Sequence, residues 1–195
     1  MRMGLPKQLL TIHGTPLLKL AIGHALKTTC DPIVVVLGAY AKTVQDACDV
    51  SDVSFVVNQS WNAGIHTTIQ CGVQHALERK PELNAVIISV CDQPFLSEQV
   101  FNGLVQRYRS DSKRIVASEY SDTFGVPALF DRIYFRELRA LPQGGAKKLM
   151  EHHVDDLALV SFSGGEIDLD TKAEYQEYIR SIDTQSTKEN CHAKR

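Results

Sequence analysis

Several features that would assign the chain to a common functional class are missing from its 195 residues. Its five cysteines form no C-x-x-C pair and leave an odd total, so neither a zinc site nor a disulfide framework is indicated. No apolar run is long enough to span a bilayer, and the first residues do not resemble a signal peptide. The 21 basic and 23 acidic residues nearly balance, without a long block of one sign. We therefore expect a cytoplasmic protein with reduced thiols that binds neither nucleic acid nor membranes.

What the chain does contain is an alternation of strand-like and helix-like segments. Short β-branched runs predict strands that are buried on both faces, as parallel strands are. Segments with helical periodicity separate them. This alternation predicts an α/β fold, a three-layer sandwich with a mostly parallel central sheet. The predicted strands in this half are 33–37, 54–58 and 85–90, and the predicted helices are 17–26, 41–48, 67–77 and 97–108.

The second half is less regular but still fits a single domain. A capping-box pattern at Thr171 to Glu174 predicts the start of a last helix. We assign residues 1–182 to one domain and predict a disordered polar tail over 183–195. The other predicted elements are strands 114–117, 127–130 (antiparallel, at a sheet edge) and 157–162, and helices 133–140 and 146–151.

The strongest chemical signal is Asp92, which follows the strand predicted at 85–90 and precedes a proline. In open α/β sheets the carboxyl ends of strands line the ligand crevice. A carboxylate there suits Mg²⁺, which takes one or two protein carboxylates together with phosphate oxygens. Position alone fits equally well a residue that caps a turn or the next helix.

A second acidic pair, Asp168 and Asp170, precedes the last predicted helix. Residues spaced by two point to the same side of an extended segment, so the pair is a candidate to complete a metal site. The simpler alternative is that Asp170 favours the helix N-terminus electrostatically.

Two further segments are suited to binding phosphates. Near the N-terminus, Arg2, Gly4 and Lys7 place cations on a loop, although a solvated terminus has the same composition. The segment 58–68 follows a strand and opens a helix, whose backbone amides suit an anion. Thr67 or Thr68 as an ordinary helix cap is the alternative.

These segments, taken in order, resemble the MobA-like NTP transferases, in particular the molybdenum cofactor cytidylyltransferase branch. That family opens with a strand and the loop L-A-A-G-x-S-x-R-M-G-x-x-K-x-L-L, and residues 2–10 match its second half. The pattern N-x-x-W-x-x-G-x-x-S-I-x-x-G matches residues 58–72, with Thr68 replacing serine, and [CG]-D-Q-P matches residues 91–94. Shorter matches lie at 14–18 (G-x-x-L-L), 125–130 (G-x-P-x-L-F), 144–149 (a loose G-D-x-G-A-[RK]-x-L-L) and 168–171 (D-I-D-T).

The resemblance implies a Rossmann-like fold of the nucleotide-diphospho-sugar transferase type. It implies transfer of a nucleoside monophosphate, CMP from CTP, to a molybdopterin-type cofactor, with a molybdoenzyme as a candidate partner. Such chemistry depends on positioning and electrostatics, which fits the missing Ser-His-Asp or Cys-His arrangement. The implied roles are Mg²⁺ binding by Asp92 with Asp168 or Asp170, charge compensation by Lys7 and Arg2, and nucleotide binding by Gly4, Lys7, Asn58, Gly64 and Thr68.

Alternatives within the class are transfer from GTP, or transfer to a sugar phosphate. The family's first strand and its L-A-A-G-x-S half-loop have no counterpart in this sequence, so either the start lies upstream or the chain is a truncated paralogue. A paralogue of that kind would bind or deliver the cofactor without catalysis. We expect an incomplete central sheet, with apolar faces of Val34, Val36, Val86 and Ile88 only partly covered, weak NTP binding and a tendency to aggregate.

Overall fold

The computed structural model describes the backbone of residues 6–192 and the side chains of residues 6–182. Strands and helices alternate as the sequence predicts. The strands are β1 Thr11–Ile12, β2 Thr15–Pro16, β3 Val34–Leu37, β4 Ser54–Val57, β5 Ala85–Ile88, β6 Ile115–Tyr120, β7 Thr123–Asp131 and β8 Leu157–Ser161. The α-helices are α1 Leu17–Leu26, α2 Ala41–Cys48, α3 Ile65–Arg79, α4 Glu98–Ser110, α5 Phe135–Leu138, α6 Gly145–His152 and α7 Lys172–His192. Short 3-10 helices lie at Lys7–Leu9, Trp61–Ala63, Arg132–Tyr134 and Val154–Asp156.

The largest sheet has the order β5-β7-β6-β8. Strand β7 is antiparallel to both of its neighbours, whereas β6 and β8 are parallel. Three of the four strands therefore run in one direction, with helices packed on both faces. The predicted three-layer α/β architecture is confirmed.

The sequence predicts that strand β7 is antiparallel and lies at a sheet edge; the direction is confirmed, but the edge position is wrong. The strand lies inside the sheet, and a register shift between Ala117 and Ser118 accommodates the proline. Pairing with β5 ends at Ala128, so no ladder bond requires the N–H that proline lacks. The Ser118 hydroxyl instead donates to the Pro127 carbonyl at 2.7 Å. The irregularity keeps the proline outside the regular hydrogen-bonding pattern.

Strands β3 and β4 form a separate parallel pair. Within the described residues, β3 pairs only with β4 and β5 pairs only with β7, so no backbone ladder joins the two sheets. We call this boundary between β3 and β5 the seam. The apolar side chains beside it are half-buried, as the sequence led us to expect; these are Val34, Val36, Val86 and Ile88.

Two helices bridge the seam. Leu18 and Ile22 of helix α1 share a buried cluster with Leu37 of β3, and its Ala21 and Ala25 pack against a second cluster that Ile87 of β5 also contacts. On the other face, α3 packs Ile69 and Val73 against Val86 and Ile88. Gly72 of the same helix lies so close to Val36 that an added Cβ would be 2.9 Å from its Cγ2. Side-chain packing, rather than a continuous sheet, holds the two parts together.

The last helix starts where the capping box predicts, but it extends further than expected. Helix α7 continues to His192, through most of the segment for which we predicted a disordered tail, residues 183–195. The domain boundary at 182 stays a prediction. In the part of the chain that the structure describes, no helix has the length and apolar character needed to cross a bilayer.

Candidate active site

The Lys7 ammonium lies between two carboxylates that are far apart in sequence. It donates to Oδ2 of Asp92 and, at 2.8 Å, to Oδ1 of Asp170. The Asp92 side chain is 14% exposed, and its other oxygen, Oδ1, is buried without a hydrogen-bond partner. Burial of Lys7 opposes its charge, but the hydrogen bonds to Asp170 and Asp92 outweigh that effect and raise its pKa. Three residues chosen from separate motifs of the sequence therefore meet at one point.

Asp168 contributes further negative charge to this group. Its pKa is raised by burial, and then by the neighbouring charges of Asp92 and Asp170, while Lys7 acts in the opposite direction. A single ammonium therefore faces more than one carboxylate. The charge balance of the site is negative, which is an environment suited to an additional cation.

The two acidic residues are carried by the loop between β8 and α7, and backbone contacts fix that loop. Leu169, which is fully buried, donates its N–H to the Asp92 carbonyl at 3.0 Å. At the start of α7, Glu174 accepts from the amides of Asp170 (3.1 Å) and Thr171 (2.7 Å). The Thr171 hydroxyl accepts from the Glu174 amide at 3.2 Å, which completes the predicted capping box. The loop is therefore tied both to Asp92 and to the helix that follows.

Gln93 is a residue of this site to which sequence reasoning gave no role. It is buried, and its Nε2 donates to the carbonyls of Gly165 (2.7 Å) and Val126 (3.2 Å). Its Oε1 is buried without a partner. The only signal in the sequence was its place in the D-Q-P motif beside Asp92.

The second predicted group lies at the carboxyl end of β4 and the start of α3. The Asn58 amide donates to the hydroxyls of Thr67 (2.9 Å) and Thr68 (3.1 Å), and its Oδ1 accepts from the Ser60 amide at 2.9 Å. Gly64 has φ +122°, a conformation that side chains disfavour, and α3 begins at the next residue. The Asn58 side chain thus organises the loop that presents the α3 N-terminus. Direct nucleotide binding by Asn58, Gly64 and Thr68 stays a prediction.

The predicted site residues thus form two groups rather than one. Among the side chains of residues 6–182, no hydrogen bond or ion pair connects the Lys7 group with the Asn58 group. The same residues contain no cluster of three or more His, Cys, Asp or Glu side chains with metal-binding geometry. Arg2 and Gly4 lie outside the described residues.

Comparison with known proteins identifies the family. Residues 1–157 match the MobA-like NTP transferase domain. The chain belongs to this family. Among curated proteins, it is 30% identical over 116 residues to nicotine blue oxidoreductase of Paenarthrobacter nicotinovorans, covering 60% of this chain and 54% of that protein. The chain thus spans about half the length of that relative.

Solved structures of low sequence identity share the fold. A homologue of Mycobacterium tuberculosis Rv0371c from Mycobacterium sp. strain JC1 has a TM-score of 0.78 at 22% identity, covering 94% of this chain and 91% of that one. The manganese complex of Rv0371c itself has a TM-score of 0.72 at 23% identity, covering 93% and 94%. Molybdopterin-guanine dinucleotide biosynthesis protein A of Archaeoglobus fulgidus has a TM-score of 0.64 at 16% identity, covering 94% of this chain and 93% of that one. The similarity extends over nearly the whole length of each chain.

Proposed function

We propose that this member of the MobA-like NTP transferase family transfers CMP from CTP to a molybdopterin-type cofactor and releases pyrophosphate. The observation that carries this proposal is the Lys7 ammonium between Asp92 and Asp170, beside the buried and unpartnered Oδ1 of Asp92. A mobile cation beside paired carboxylates is what a triphosphate bound with a metal ion requires: a positive group for the phosphates and oxygen ligands for the metal.

The carboxylates fit a magnesium ion in number and chemistry. Mg²⁺ takes one or two protein carboxylates and fills its remaining positions with water and phosphate oxygens. Asp92 and Asp170 reach a common ammonium, so both can reach a common cation, and Asp168 adds charge nearby. No three His, Cys, Asp or Glu side chains of the described residues are grouped to hold a metal, so substrate phosphates would have to supply the remaining ligands. A bound divalent ion would neutralise phosphate charge and orient the triphosphate.

The side chains of this chain would act by positioning and by electrostatics. Lys7 would leave the carboxylates and pair with the β- and γ-phosphates, where negative charge grows as pyrophosphate departs. An oxygen of the acceptor phosphate forms the new bond to the α-phosphorus, and the bond from that phosphorus to the bridging oxygen of pyrophosphate breaks. The amides at the start of α3, presented by Asn58 and Gly64, would hold an anionic part of a substrate.

The choice of CTP and of the acceptor rests on the resemblance of residues 58–72 and 91–94 to the cytidylyltransferase branch. GTP or a sugar phosphate are the alternatives within the class. The name of the Paenarthrobacter relative denotes redox chemistry, so membership of the family does not by itself fix the reaction. The four cysteines whose side chains the structure describes are free thiols, and we propose a cytoplasmic location.

The test is release of pyrophosphate by the purified protein with Mg²⁺ and molybdopterin cofactor, compared across CTP, GTP, ATP and UTP. We expect release with CTP and loss of activity on chelation of the metal. Release of pyrophosphate from GTP but not from CTP would show that the protein transfers GMP rather than CMP. Binding of the cofactor without release from any NTP would support the non-catalytic alternative.

The Asp92→Asn variant tests the role of the carboxylate, because asparagine keeps the size of the side chain and removes its negative charge. We expect activity to fall at least about a hundredfold, or roughly 2.7 kcal/mol in the barrier, while the fold stays intact. Asp31→Asn is the matched control, since Asp31 is an exposed carboxylate that also pairs with a lysine, Lys80. Wild-type activity in Asp92→Asn would remove the central claim.

A further inference from the structure

The segment between β8 and α7 brings Asp168 and Asp170 to Asp92, yet neither acidic residue belongs to a strand or a helix. Its position therefore depends on individual contacts. One is the hydrogen bond from the Leu169 amide to the Asp92 carbonyl. The others start from Gln93, the residue next to Asp92.

Gln93 links three parts of the chain through one amide group. Its Nε2 reaches Gly165 in this segment, 72 residues away, and Val126 in β7, 33 residues away. The side chain is 5% exposed, so solvent water does not compete freely for these carbonyls. Gly165 lies between β8 and the acidic pair. The hydrogen bond from Gln93 therefore fixes the loop near the point where it leaves β8.

Packing around Gly165 leaves room for little else. A Cβ built on this glycine would lie 2.5 Å from Cδ1 of Tyr120 and 2.6 Å from Cδ1 of Phe162. The backbone at Gly165 therefore runs directly against two rings, and only a residue without a side chain fits there. The geometry there specifies one position for the loop.

The two ends of the amide are used differently within the protein. Both N–H groups of Nε2 have carbonyl acceptors, whereas the buried Oε1 has no partner among the described residues. What this residue supplies is a pair of N–H donors aimed at two carbonyls, directly beside Asp92.

We propose that Gln93 is a positioning residue that docks the 163–170 loop, so that Asp170 and Asp168 face Asp92. It does not touch substrate. This inference rests on the proposed function for the use of the carboxylates, but the docking itself is a property of the protein without ligands. Replacing Gln93 should therefore loosen the loop and weaken binding of a divalent ion together.

The experiment compares Gln93→Glu and Gln93→Met with wild type. Glu keeps the shape and places oxygen against both carbonyls, while Met removes the donors and also the unpartnered Oε1. Gln70→Glu and Gln70→Met are matched controls, because the half-buried Gln70 also donates to a distant backbone carbonyl, that of Leu141, at 2.9 Å. The readouts are hydrogen exchange of the Leu169 amide and Mn²⁺ binding followed by electron paramagnetic resonance.

We expect both Gln93 variants to speed exchange at Leu169 and to weaken Mn²⁺ binding at least tenfold, with Gln93→Glu the more affected. The Gln70 variants should change neither quantity, even where they lower the melting temperature equally. Wild-type exchange at Leu169 in both Gln93 variants would overturn the proposal. Faster exchange in a protein whose wild type releases no pyrophosphate would keep the docking role and reject the proposed reaction, so the two failures are distinguishable.

Discussion

Lys7 is placed where one ammonium serves two carboxylates, and a divalent ion would compete with it for the same oxygens. In Lys7→Met the hydrophobic stem is largely kept and the charge is lost. We expect Mn²⁺ to bind several-fold more tightly to this variant without nucleotide, because its competitor is absent. Turnover of CTP should fall roughly tenfold or more, about 1.4 kcal/mol, because the phosphates lose a partner. Isothermal titration with Mn²⁺ and a pyrophosphate assay measure the two opposite effects; a parallel loss of both would mark Lys7 as structural.

The raised pKa of Asp168 makes a prediction about stability. The folded state binds this proton more tightly than the unfolded state, so stability falls as pH rises through the ordinary value of 3.8 and toward the raised one. Asp168→Asn removes that penalty and should stabilise the metal-free protein at neutral pH, by less than about 1 kcal/mol after solvent screening. Urea unfolding at pH 7 and pH 4 should show the gain shrinking at the lower pH. The exposed Asp122→Asn is the control; an equal gain there would mean a general charge effect.

At the scale of single residues, motifs in the sequence named Lys7, Asp92 and Asp170, which the fold brings into contact, while their roles in binding and catalysis stay predictions. Gln93 could not be assigned in the same way. Its partners are backbone carbonyls, which carry no sequence signature, and they belong to segments brought near only by the completed fold. Asn58 illustrates the same difficulty, since its side chain organises a loop rather than pointing visibly at a ligand.

Among the elements, α7 has a capping box whose members also border the candidate site. Glu174→Ala leaves the amides of Asp170 and Thr171 without their acceptor. We expect a loss of about 1 kcal/mol in unfolding free energy and weaker Mn²⁺ binding, because Asp170 lies two residues before the helix and its amide loses the Glu174 acceptor. Glu177→Ala, an exposed substitution on the same helix, is the control for charge and helix propensity. Equal destabilisation by both changes in urea unfolding would contradict the capping role.

Helices and strands followed from periodicity with small boundary errors; α1 and α2 begin and end at the predicted residues. Strand order did not follow from the sequence, although the antiparallel direction of β7 did. The composition of β7 does not reveal that a register shift lets Pro127 sit inside a sheet. The polar composition after residue 182 does not show that α7 continues to His192.

At the scale of the whole molecule, the strands on the two sides of the seam differ in burial and in the number of strands they pair with. Strands β6 and β7 are deeply buried and paired on both sides, whereas β3 and β4 form a two-stranded pair with half-buried residues. Two-stranded pairs have little stability of their own. Native-state hydrogen exchange should therefore show β3 and β4 opening at lower free energy than β6 and β7. A single opening free energy for all four strands would show that α1 and α3 couple the two parts completely.

The seam also means that a bound ligand could stiffen the protein. No backbone ladder joins the two sheets in the described chain, so side-chain packing resists the sliding of one sheet past the other. This packing includes α1, α3 and Cys91, which follows β5 and lies against the cluster that contains Leu37 of β3. Asn58 follows β4, on one side of the seam, whereas Asp92 of the Lys7 group follows β5, on the other side. A ligand that contacted both groups would therefore crosslink the two sides of the seam and would supply the stiffness that a continuous sheet otherwise provides.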